Sequence, residues 1–320
     1  MSDDHPVAAS GAISWRCRLV QRAMKWAIKP RLTLARGLPA FRRTLERAAM
    51  LLPRPPRGIT ITPASCGGIA GEWTRHAGHT DAAAPVFLYF HGGAFVAGSP
   101  RLSRAIVTQL ALRCGAGAFS VDYRLAPEHP FPAAIEDAQA CYQGLLGMGV
   151  APERIVLAGE SAGAALALAL AQTIGKDAIG GSSPRALVLI SPWLDLTLSG
   201  ASLRDDPDID PGLPAGLMGD ARDLYVPDGC FEDPLASPLF APLAGLPPTL
   251  IQVGTREILR DDARRLASRM DRAGAPHRLE EWAGMHHVWH HAPFRIPEAE
   301  CAFAAIARFV AEAGATRSGR

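Results

Sequence analysis

The chain has 320 residues, of which 48% are hydrophobic and 20% charged, and its net charge at pH 7 is only +2. This composition is typical of a globular protein with a sizeable core, and so small a net charge gives no indication of a nucleic-acid partner. The six cysteines are scattered without metal-binding spacing, and the longest apolar run, Ala162 to Ala171, is about half as long as a bilayer span requires. The opening MSDDHP is unlike a secretory signal. These features predict a cytoplasmic protein with reduced thiols and no membrane-spanning segment.

Residues 1–57 are predicted to form N-terminal helices and a linker that precede every strand. Apolar side chains recur at helical spacing over Trp15–Ile28 and over Leu38–Leu52. The proline-rich stretch 53–58 follows them as a linker or rigid turn. Because these helices lie outside the alternation of strands and helices that begins after them, we expect them to lie outside the sheet.

Basic residues are concentrated in this same N-terminal region. Twelve Lys and Arg side chains precede residue 58, against three acidic ones. They could contact an anionic surface, or they could form the solvated side of amphipathic helices. We favour the solvated interpretation, because amphipathic helices ordinarily carry their charges on the face away from the core.

From residue 58 to residue 320, strand-like and helix-like segments alternate. Two short segments, Ile59–Thr62 and Gly68–His76, and one apolar run, Val86–Phe90, have the composition of strands. Helices and strands then alternate at 102–113, 117–122, 132–148, 154–158, 162–174, 186–190, 249–253, 260–273, 277–282 and 298–313. This alternation predicts an α/β fold, with a mostly parallel eight-stranded sheet between helices in a three-layer αβα arrangement.

One interval of nearly sixty residues, between the strands 186–190 and 249–253, interrupts the alternation. It is rich in Asp, Pro and Gly and has one predicted helix, at Ala215–Tyr225. Insertions of this length inside a compact fold are usually lids or binding segments. We therefore expect this interval to form, with the N-terminal helices, a roof over the functional site.

A nucleophilic serine is predicted where one strand turns directly into a helix. The strand 154–158 is followed by Gly159-Glu160-Ser161-Ala162-Gly163 and then by an unbroken run of Ala and Leu. A sharp strand-to-helix turn around G-x-S-x-G is a nucleophile elbow, in which the flanking positions must lack bulk and the serine is exposed above the sheet. The alternative is a glycine-rich turn with a passive serine.

Backbone donors for an oxyanion are predicted after the strand 86–90. Ligand sites of open parallel sheets lie at the carboxyl ends of the strands, where this strand is followed by His91-Gly92-Gly93-Ala94-Phe95. Stabilising a tetrahedral acyl intermediate requires preorganised N–H groups, and glycines let amides approach closely. We predict the amides of Gly92 and Gly93 as donors, with that of Ala162 as the third. The alternative is a simple β-turn.

An acidic residue is expected after the strand 249–253, to orient a catalytic imidazole and stabilise its protonated form. Glu257 lies in the loop that follows this strand, and it is our choice. Asp261 and its neighbour Asp262 are predicted to be helical already, as acids favoured in a first turn. Asp261 is the second candidate.

The base of such a site must be a histidine, because only imidazole takes and returns a proton near neutral pH. The strand 277–282 is followed by a segment with four histidines, HHVWHH at 286–291, and the order Ser161, Glu257, His287 is one that a serine triad uses. A metal site with His287 and His291 one helical turn apart is an alternative. We disfavour it, because no second carboxylate or cysteine is suitably close in the sequence and it leaves Ser161 without a role.

These motifs together resemble the bacterial branch of the hormone-sensitive-lipase-like family of α/β-hydrolase carboxylesterases. The similarity extends from about residue 67 to residue 310. It includes HGGAF at 91–95, DYRLAPEHPFPAAIEDA at 122–138, AGESAGA at 158–164, SPWLDLT at 191–197, DPLASPLF at 233–240, GLPPTLIQVGTREILRDDARRLA at 245–267 and WAGMHHVWH at 282–290. The resemblance implies an α/β-hydrolase fold and a helical cap built from the N-terminal helices and an insertion at about 197–227.

The resemblance also implies the roles of individual residues. Ser161 would be the nucleophile, His287 rather than His286 the base, and Glu257 the acid. The sequence departs from the family pattern at Ala94, where a third glycine is usual, and at Glu160, where Asp usually precedes the nucleophile. The Ser/Thr-His pair often found shortly after the glycines is absent from 98–103, and the triad acid is Glu where many relatives have Asp.

We therefore expect a serine carboxylesterase of short- to medium-chain acyl esters, aryl esters or lactones that forms an acyl-enzyme and needs no metal or organic cofactor. Its partner would be a small-molecule ester, and the resemblance allows a homodimer. An apolar pocket is predicted, and we see no amphipathic surface anchor. The expected lining of the pocket is Trp15, Trp26, Phe41, Phe95, Leu213, Leu217, Met218 and Trp289. The alternatives are a non-catalytic small-molecule receptor of the same fold and an amide or formamide hydrolase.

Overall fold

A computed structural model of the chain describes residues 13–50, 55–77, 83–177, 183–292 and 296–318. Its centre is a sheet of eight strands in the order β1-β2-β4-β3-β5-β6-β7-β8. In chain order the strands are β1 (Ile59–Cys66), β2 (Ile69–His76), β3 (Val86–Phe90), β4 (Gly117–Val121), β5 (Ile155–Glu160), β6 (Ala186–Ile190), β7 (Thr249–Gly254) and β8 (His277–Trp282).

The six strands from β3 to β8 are parallel, so their carboxyl ends meet at one edge of the sheet. The other two form an antiparallel hairpin at the sheet edge, where β2 also pairs antiparallel with β4. The sequence predicted that the first strand ends at Thr62, but it continues through Pro63 to Cys66. Proline is tolerated there because β1 is an edge strand, whose outer N–H groups need no partner.

The helices are α1 (Trp15–Ala23), α2 (Leu38–Met50), α3 (Pro100–Cys114), α4 (Ala133–Gly147), α5 (Ala162–Asp177), α6 (Ala201–Asp205), α7 (Ala215–Tyr225), α8 (Arg260–Ala273) and α9 (Pro297–Ser318). Side chains of α3 and α9 pack against Phe87 and Tyr89 on one face of the sheet. Side chains of α4, α5 and α8 pack with Leu88 and Phe90 on the other face. The predicted three-layer αβα fold with an eight-stranded, mostly parallel sheet is therefore confirmed.

Helix α1 does not continue as a regular helix to Ile28, as its sequence periodicity predicts. The segment Met24–Ile28 is wound more widely, as a π-helix. The predicted linker at 53–58 and the end of the second predicted helix, Leu51 and Leu52, fall partly or wholly outside the described residues. None of the helices in the described ranges is long and apolar enough to cross a membrane.

The N-terminal segment and the long insertion contact each other above the sheet. The ammonium group of Lys29 donates to Asp208 Oδ1 at 3.1 Å and to the carbonyl oxygen of Asp210 at 2.9 Å. A Cβ placed on Gly212 would come within 2.3 Å of the methyl group of Met24. The insertion thus lies directly against the π-helical segment and Lys29, and the N-terminal segment and the insertion enclose the same space above the carboxyl ends of the strands.

Candidate active site

Ser161 occupies a sharp turn between β5 and α5. Its backbone is left-handed, with φ +54°, and its N–H donates to the carbonyl oxygen of Ile190 at 2.9 Å. A Cβ on Gly159 would lie 2.3 Å from the oxygen of Gly163, and one on Gly163 would lie 2.1 Å from that of Phe90. No side chain fits at either glycine without moving the backbone, so the turn requires both. It presents the Ser161 side chain to a cavity above the sheet.

Glu257 and His287 are brought together from the ends of β7 and β8. The Oε2 atom of Glu257 lies 3.1 Å from Nδ1 of His287. Its Oε1 atom accepts from the hydroxyl of Ser191 and from the N–H of Gly254, both at 2.7 Å. Because the carboxylate is fully buried and held by these donors, it fixes the orientation of the imidazole.

The surroundings of His287 favour its protonated form. Burial alone lowers the pKa of His287, but the hydrogen bond to Glu257 and the negative charges of Glu257, Asp210 and Glu160 outweigh it. The pKa of His287 therefore lies above its ordinary value of 6.5. A raised pKa makes the imidazole a better acceptor of a hydroxyl proton.

The neighbouring histidines differ from His287 in this respect. Burial lowers the pKa of His286 to about 3 and that of His291 to about 4, and it holds the pKa of His290 well below its ordinary value. They are neutral at pH 7. The alternative of a metal site at HHVWHH is not supported by the geometry, since no group of three metal-binding side chains is assembled in the described ranges.

Ser161 and His287 both line the cavity, so the structure places all three members of the predicted triad at one edge of the sheet. No hydrogen bond joins the Ser161 hydroxyl to the His287 ring within the described part of the chain. Catalytic hydrogen bonds commonly tighten only when substrate is bound. Asp261, the second candidate for the acid, instead accepts from the N–H of Ser202 at 2.8 Å.

The predicted oxyanion donors need one correction, at Gly92. Its N–H donates to Glu160 Oε1 at 2.9 Å and is therefore not available to a ligand. The amides of Gly93, Ala94 and Ala162 take part in no hydrogen bond among the described residues. Gly93 and Ala94 both have positive φ, +128° and +56°, in the loop that faces the elbow. Successive amides in such a loop can converge on an anion.

Glu160, which precedes Ser161, is a buried residue that holds this loop by hydrogen bonds. Its carboxylate accepts from Gly92, from the hydroxyl of Ser103 at 2.6 Å and from the hydroxyl of Tyr89. Burial raises the pKa of Glu160 to about 7, although these hydrogen bonds counteract it. The sequence showed only that this residue departs from the family pattern, whereas the structure shows that it determines which amide of the glycine pair stays free.

The cavity above Ser161 has a volume of about 320 Å³ and a mainly apolar wall. Five of the eight predicted pocket residues line it, namely Phe41, Leu213, Leu217, Met218 and Trp289. The structure adds lining residues that the sequence did not single out, among them Val20, Met24, Ile28, Leu32, Leu45 and Leu102.

Trp15, Trp26 and Phe95 do not line the cavity. The two tryptophans are on the outer side of the N-terminal segment, 65% and 76% exposed, because the inner side is occupied by Val20 and Met24. Phe95 is fully buried beside the cavity, where its ring stacks on Tyr225 with the ring centroids 3.9 Å apart.

Asp210, a residue of the insertion, is a contact of the site that the sequence analysis missed. Its Oδ2 atom accepts from the N–H of His287 at 3.1 Å, and its Oδ1 atom accepts from the amides of Gly212 and Leu213. Burial raises the pKa of Asp210 to about 6, against the lowering effect of His287. One carboxylate thus ties the insertion to the backbone of the histidine. The only local signal in the sequence is an Asp before Pro-Gly, a common turn pattern.

The chain is similar in sequence to known hydrolases over most of its length. A family described as having the alpha/beta hydrolase fold matches residues 87–291. An acetyl-hydrolase of Streptomyces hygroscopicus is 41% identical over 258 residues, which cover 80% of this chain and 83% of that protein. An esterase of Acinetobacter venetianus is 36% identical over 296 residues, which cover 92% of this chain and 96% of the relative.

A similar structure has also been solved. The crystal structure of an esterase from the bacterial hormone-sensitive lipase family superposes with a TM-score of 0.86 at 37% sequence identity. The match covers 94% of this chain and 98% of the other. The likeness therefore includes the segments above the sheet as well as the sheet itself.

Proposed function

Because this chain belongs to the bacterial hormone-sensitive-lipase branch of the α/β-hydrolase family and is a carboxylic ester hydrolase, we propose that it acts through Ser161, His287 and Glu257. The observation that carries the proposal is the contact of 3.1 Å between Glu257 and His287 Nδ1, with His287 and Ser161 lining one cavity. The esterase relatives favour this enzyme over a non-catalytic receptor of the same fold.

In the proposed mechanism, the His287 Nε2 atom accepts the proton of the Ser161 hydroxyl as the oxygen attacks the ester carbonyl carbon. The carbonyl oxygen becomes an oxyanion held by the amides of Gly93, Ala94 and Ala162. When the tetrahedral intermediate collapses, His287 returns the proton to the leaving alcohol and an acyl-enzyme remains. Water, deprotonated by the same imidazole, then attacks the acyl-enzyme, and His287 returns that proton to the Ser161 oxygen as the acid is released. No step uses a metal or an organic cofactor.

We further propose that residues 1–57 and an insertion at about 197–227 act as a cap on a catalytic domain of residues 58–320. Contacts of Lys29 with Asp208 and Asp210 support this division, since they join the two parts of the cap. The hydrogen bond from His287 to Asp210 also joins the cap to the triad. Homodimer formation and a cytoplasmic location stay predictions from the sequence.

The test of this function is turnover of p-nitrophenyl butyrate by the purified chain. We expect multiple turnovers and a stoichiometric burst if deacylation is slower than acylation. Saturable binding of the ester without release of p-nitrophenol would instead identify a receptor, and turnover of the anilide at a similar rate would favour an amide hydrolase.

The pH dependence of hydrolysis is expected to follow His287. The base must be neutral to accept a proton, and its pKa is raised above 6.5, so kcat/KM should rise with pH to a midpoint above 6.5. In Glu257→Gln, burial would no longer be opposed by the carboxylate, so the midpoint should move to lower pH. A pH profile of kcat/KM for p-nitrophenyl butyrate checks this. An identical midpoint in both proteins would contradict it, and Asp261→Asn is the matched control.

Acyl-chain length is expected to limit turnover because the cavity, at about 320 Å³, is at the small end of ligand pockets. We expect kcat/KM for p-nitrophenyl butyrate or hexanoate to exceed that for the palmitate ester by at least about tenfold, or roughly 1.4 kcal/mol in transition-state stabilisation. Met218→Ala, which removes a buried side chain from the wall, should narrow the difference, whereas the same change at the exposed Met148 should not. Equal or faster turnover of palmitate would contradict this limit.

A further inference from the structure

Helix α1 and the π-helical segment after it have two unlike faces, and the outer one is unusual. Four side chains at spacings of four, three and four residues lie on it, namely Trp15, Leu19, Arg22 and Trp26, and we call them the outer face. The three apolar side chains are 65%, 60% and 76% exposed. Large apolar side chains grouped on one exposed helical face mark an interaction surface.

The outer face is directed outward by specific contacts on the opposite side. The N–H and hydroxyl of Ser14 both donate to Glu298, at 2.6 and 3.0 Å, and the Gln21 side-chain amide donates to the carbonyl oxygen of Gly284 at 2.7 Å. Cys17 is fully buried beside Met285. Rotating the helix to bury its tryptophans would break all of these contacts, so their exposure is built into the fold.

The charged side chains of α1 and the π-helical segment are all positive. Arg16, Arg18, Arg22 and Lys25 are exposed, and none of them forms an ion pair within the described part of the chain. No Asp or Glu occurs between Ile13 and Leu45. Two of the cations lie over the neighbouring rings, Arg16 at 5.6 Å from the Trp15 centroid and Lys25 at 5.9 Å from that of Trp26.

We propose that the outer face docks on an anionic lipid surface. Tryptophan and leucine on one side of a helix, with Lys and Arg at its flanks, suit the boundary between acyl chains and anionic headgroups. A second copy of this chain is a poorer occupant, because a symmetric contact would bring two sets of unpaired cations together. The sequence analysis raises an anionic surface as an alternative for the basic residues of this segment but disfavours it, and it places Trp15 and Trp26 in the pocket instead.

The same segment forms part of the cavity wall through Val20, Met24 and Ile28. Docking would therefore hold one wall of the cavity at the lipid boundary, where amphiphilic esters concentrate. The proposal does not depend on the triad, since the outer face contains none of the residues assigned to catalysis or to the cavity wall.

The test is co-sedimentation of the full chain with vesicles of ether-linked lipids, which contain no acyl ester to hydrolyse. We expect binding to mixed phosphatidylcholine–phosphatidylglycerol vesicles, weak binding to phosphatidylcholine alone, and loss of binding at high salt. A blue shift of tryptophan fluorescence should accompany binding in the wild type.

Two double variants and two matched controls make the test specific. Arg18→Glu/Arg22→Glu should lower the partition coefficient at least about twentyfold, since each basic residue near an anionic membrane contributes about fivefold. Trp15→Ser/Trp26→Ser should lower it and abolish the blue shift. The controls Arg101→Glu/Arg308→Glu and Met148→Ser/Phe240→Ser, also at exposed positions, should bind nearly as the wild type does.

Turnover of p-nitrophenyl butyrate in solution should be preserved in both outer-face variants, which shows that they fold. Failure of the wild type to bind the anionic vesicles would overturn the proposal, as would equal binding by the variants and the wild type. A dimer in solution that Trp15→Ser/Trp26→Ser converts to a monomer would also overturn it and identify the face as a contact between copies.

Discussion

Replacing Ser161 with Ala is expected to lower kcat for p-nitrophenyl butyrate roughly 10⁴- to 10⁶-fold, the cost of removing the nucleophile of a serine triad. The left-handed backbone at 161 and the absence of space at Gly159 and Gly163 aim one hydroxyl into the cavity. Alanine can adopt the left-handed backbone of this turn about as well as serine does, so the protein should fold and the ester should still bind. The effect should therefore appear in kcat with little change in Kd for an unreactive ester analogue.

The matched control for this change is Ser268→Ala, at an exposed position on α8. Its kcat should equal that of the wild type within experimental scatter. Thermal unfolding of both variants would show that neither substitution acts through stability. If Ser161→Ala kept more than about a hundredth of the wild-type rate, another nucleophile would have to exist, because the backbone donors and binding alone supply far less.

Replacing Glu257 with Gln is expected to lower kcat about 10⁴-fold, since an amide can donate to Nδ1 and so favour the wrong imidazole tautomer. The substitution also removes the negative charge that stabilises protonated His287. The Ser191 hydroxyl and the Gly254 amide can still contact the side-chain oxygen, so the geometry should change little.

The companion variant is Asp261→Asn, which changes the other candidate acid in the same way. Asp261 caps the N–H of Ser202 and does not contact His287. The Asp261→Asn variant should therefore keep the wild-type kcat within a fewfold, although the substitution removes a charge from the first turn of α8. A large loss of kcat in Asp261→Asn with a small loss in Glu257→Gln would contradict this assignment and identify Asp261 as the acid.

The parts of the site that the sequence predicted well depend on local sterics. A strand followed at once by Gly-x-Ser-x-Gly and a helix has few ways to turn, and the structure has the glycines where a Cβ would collide. The three-layer fold could be predicted equally well, because a chain of alternating strands and helices can adopt only a few topologies.

The parts that the sequence predicted poorly depend on partners distant in the chain. The sequence predicts the Gly92 amide as an oxyanion donor, but this amide donates to Glu160, which reaches it from the neighbouring strand β5. Ser191 and Asp210 contact Glu257 and His287 only because the fold brings β6 and the insertion beside them. A sequence motif identifies residues within one segment, but it does not show which hydrogen-bond partners other segments bring to them.

The tryptophans of the N-terminal segment show a second limit of prediction from the sequence. Helical periodicity separates Trp15 and Trp26 from Val20 and Met24, but both sets are apolar, so hydropathy alone does not say which faces inward. The choice is made by contacts with Gly284 and Glu298, more than 260 residues further along the chain. The larger apolar side chains turned out to be on the outer face.

Covalent labelling with a p-nitrophenyl phosphonate, followed by peptide mapping, tests directly whether Ser161, His287 and Glu257 work as one nucleophilic unit. The expected result is one phosphonyl group per chain, on the peptide that contains Ser161, with labelling greatly slowed in His287→Ala and absent in Ser161→Ala. An adduct on a different residue, or undiminished labelling of Ser161→Ala, would contradict the assignment of the nucleophile.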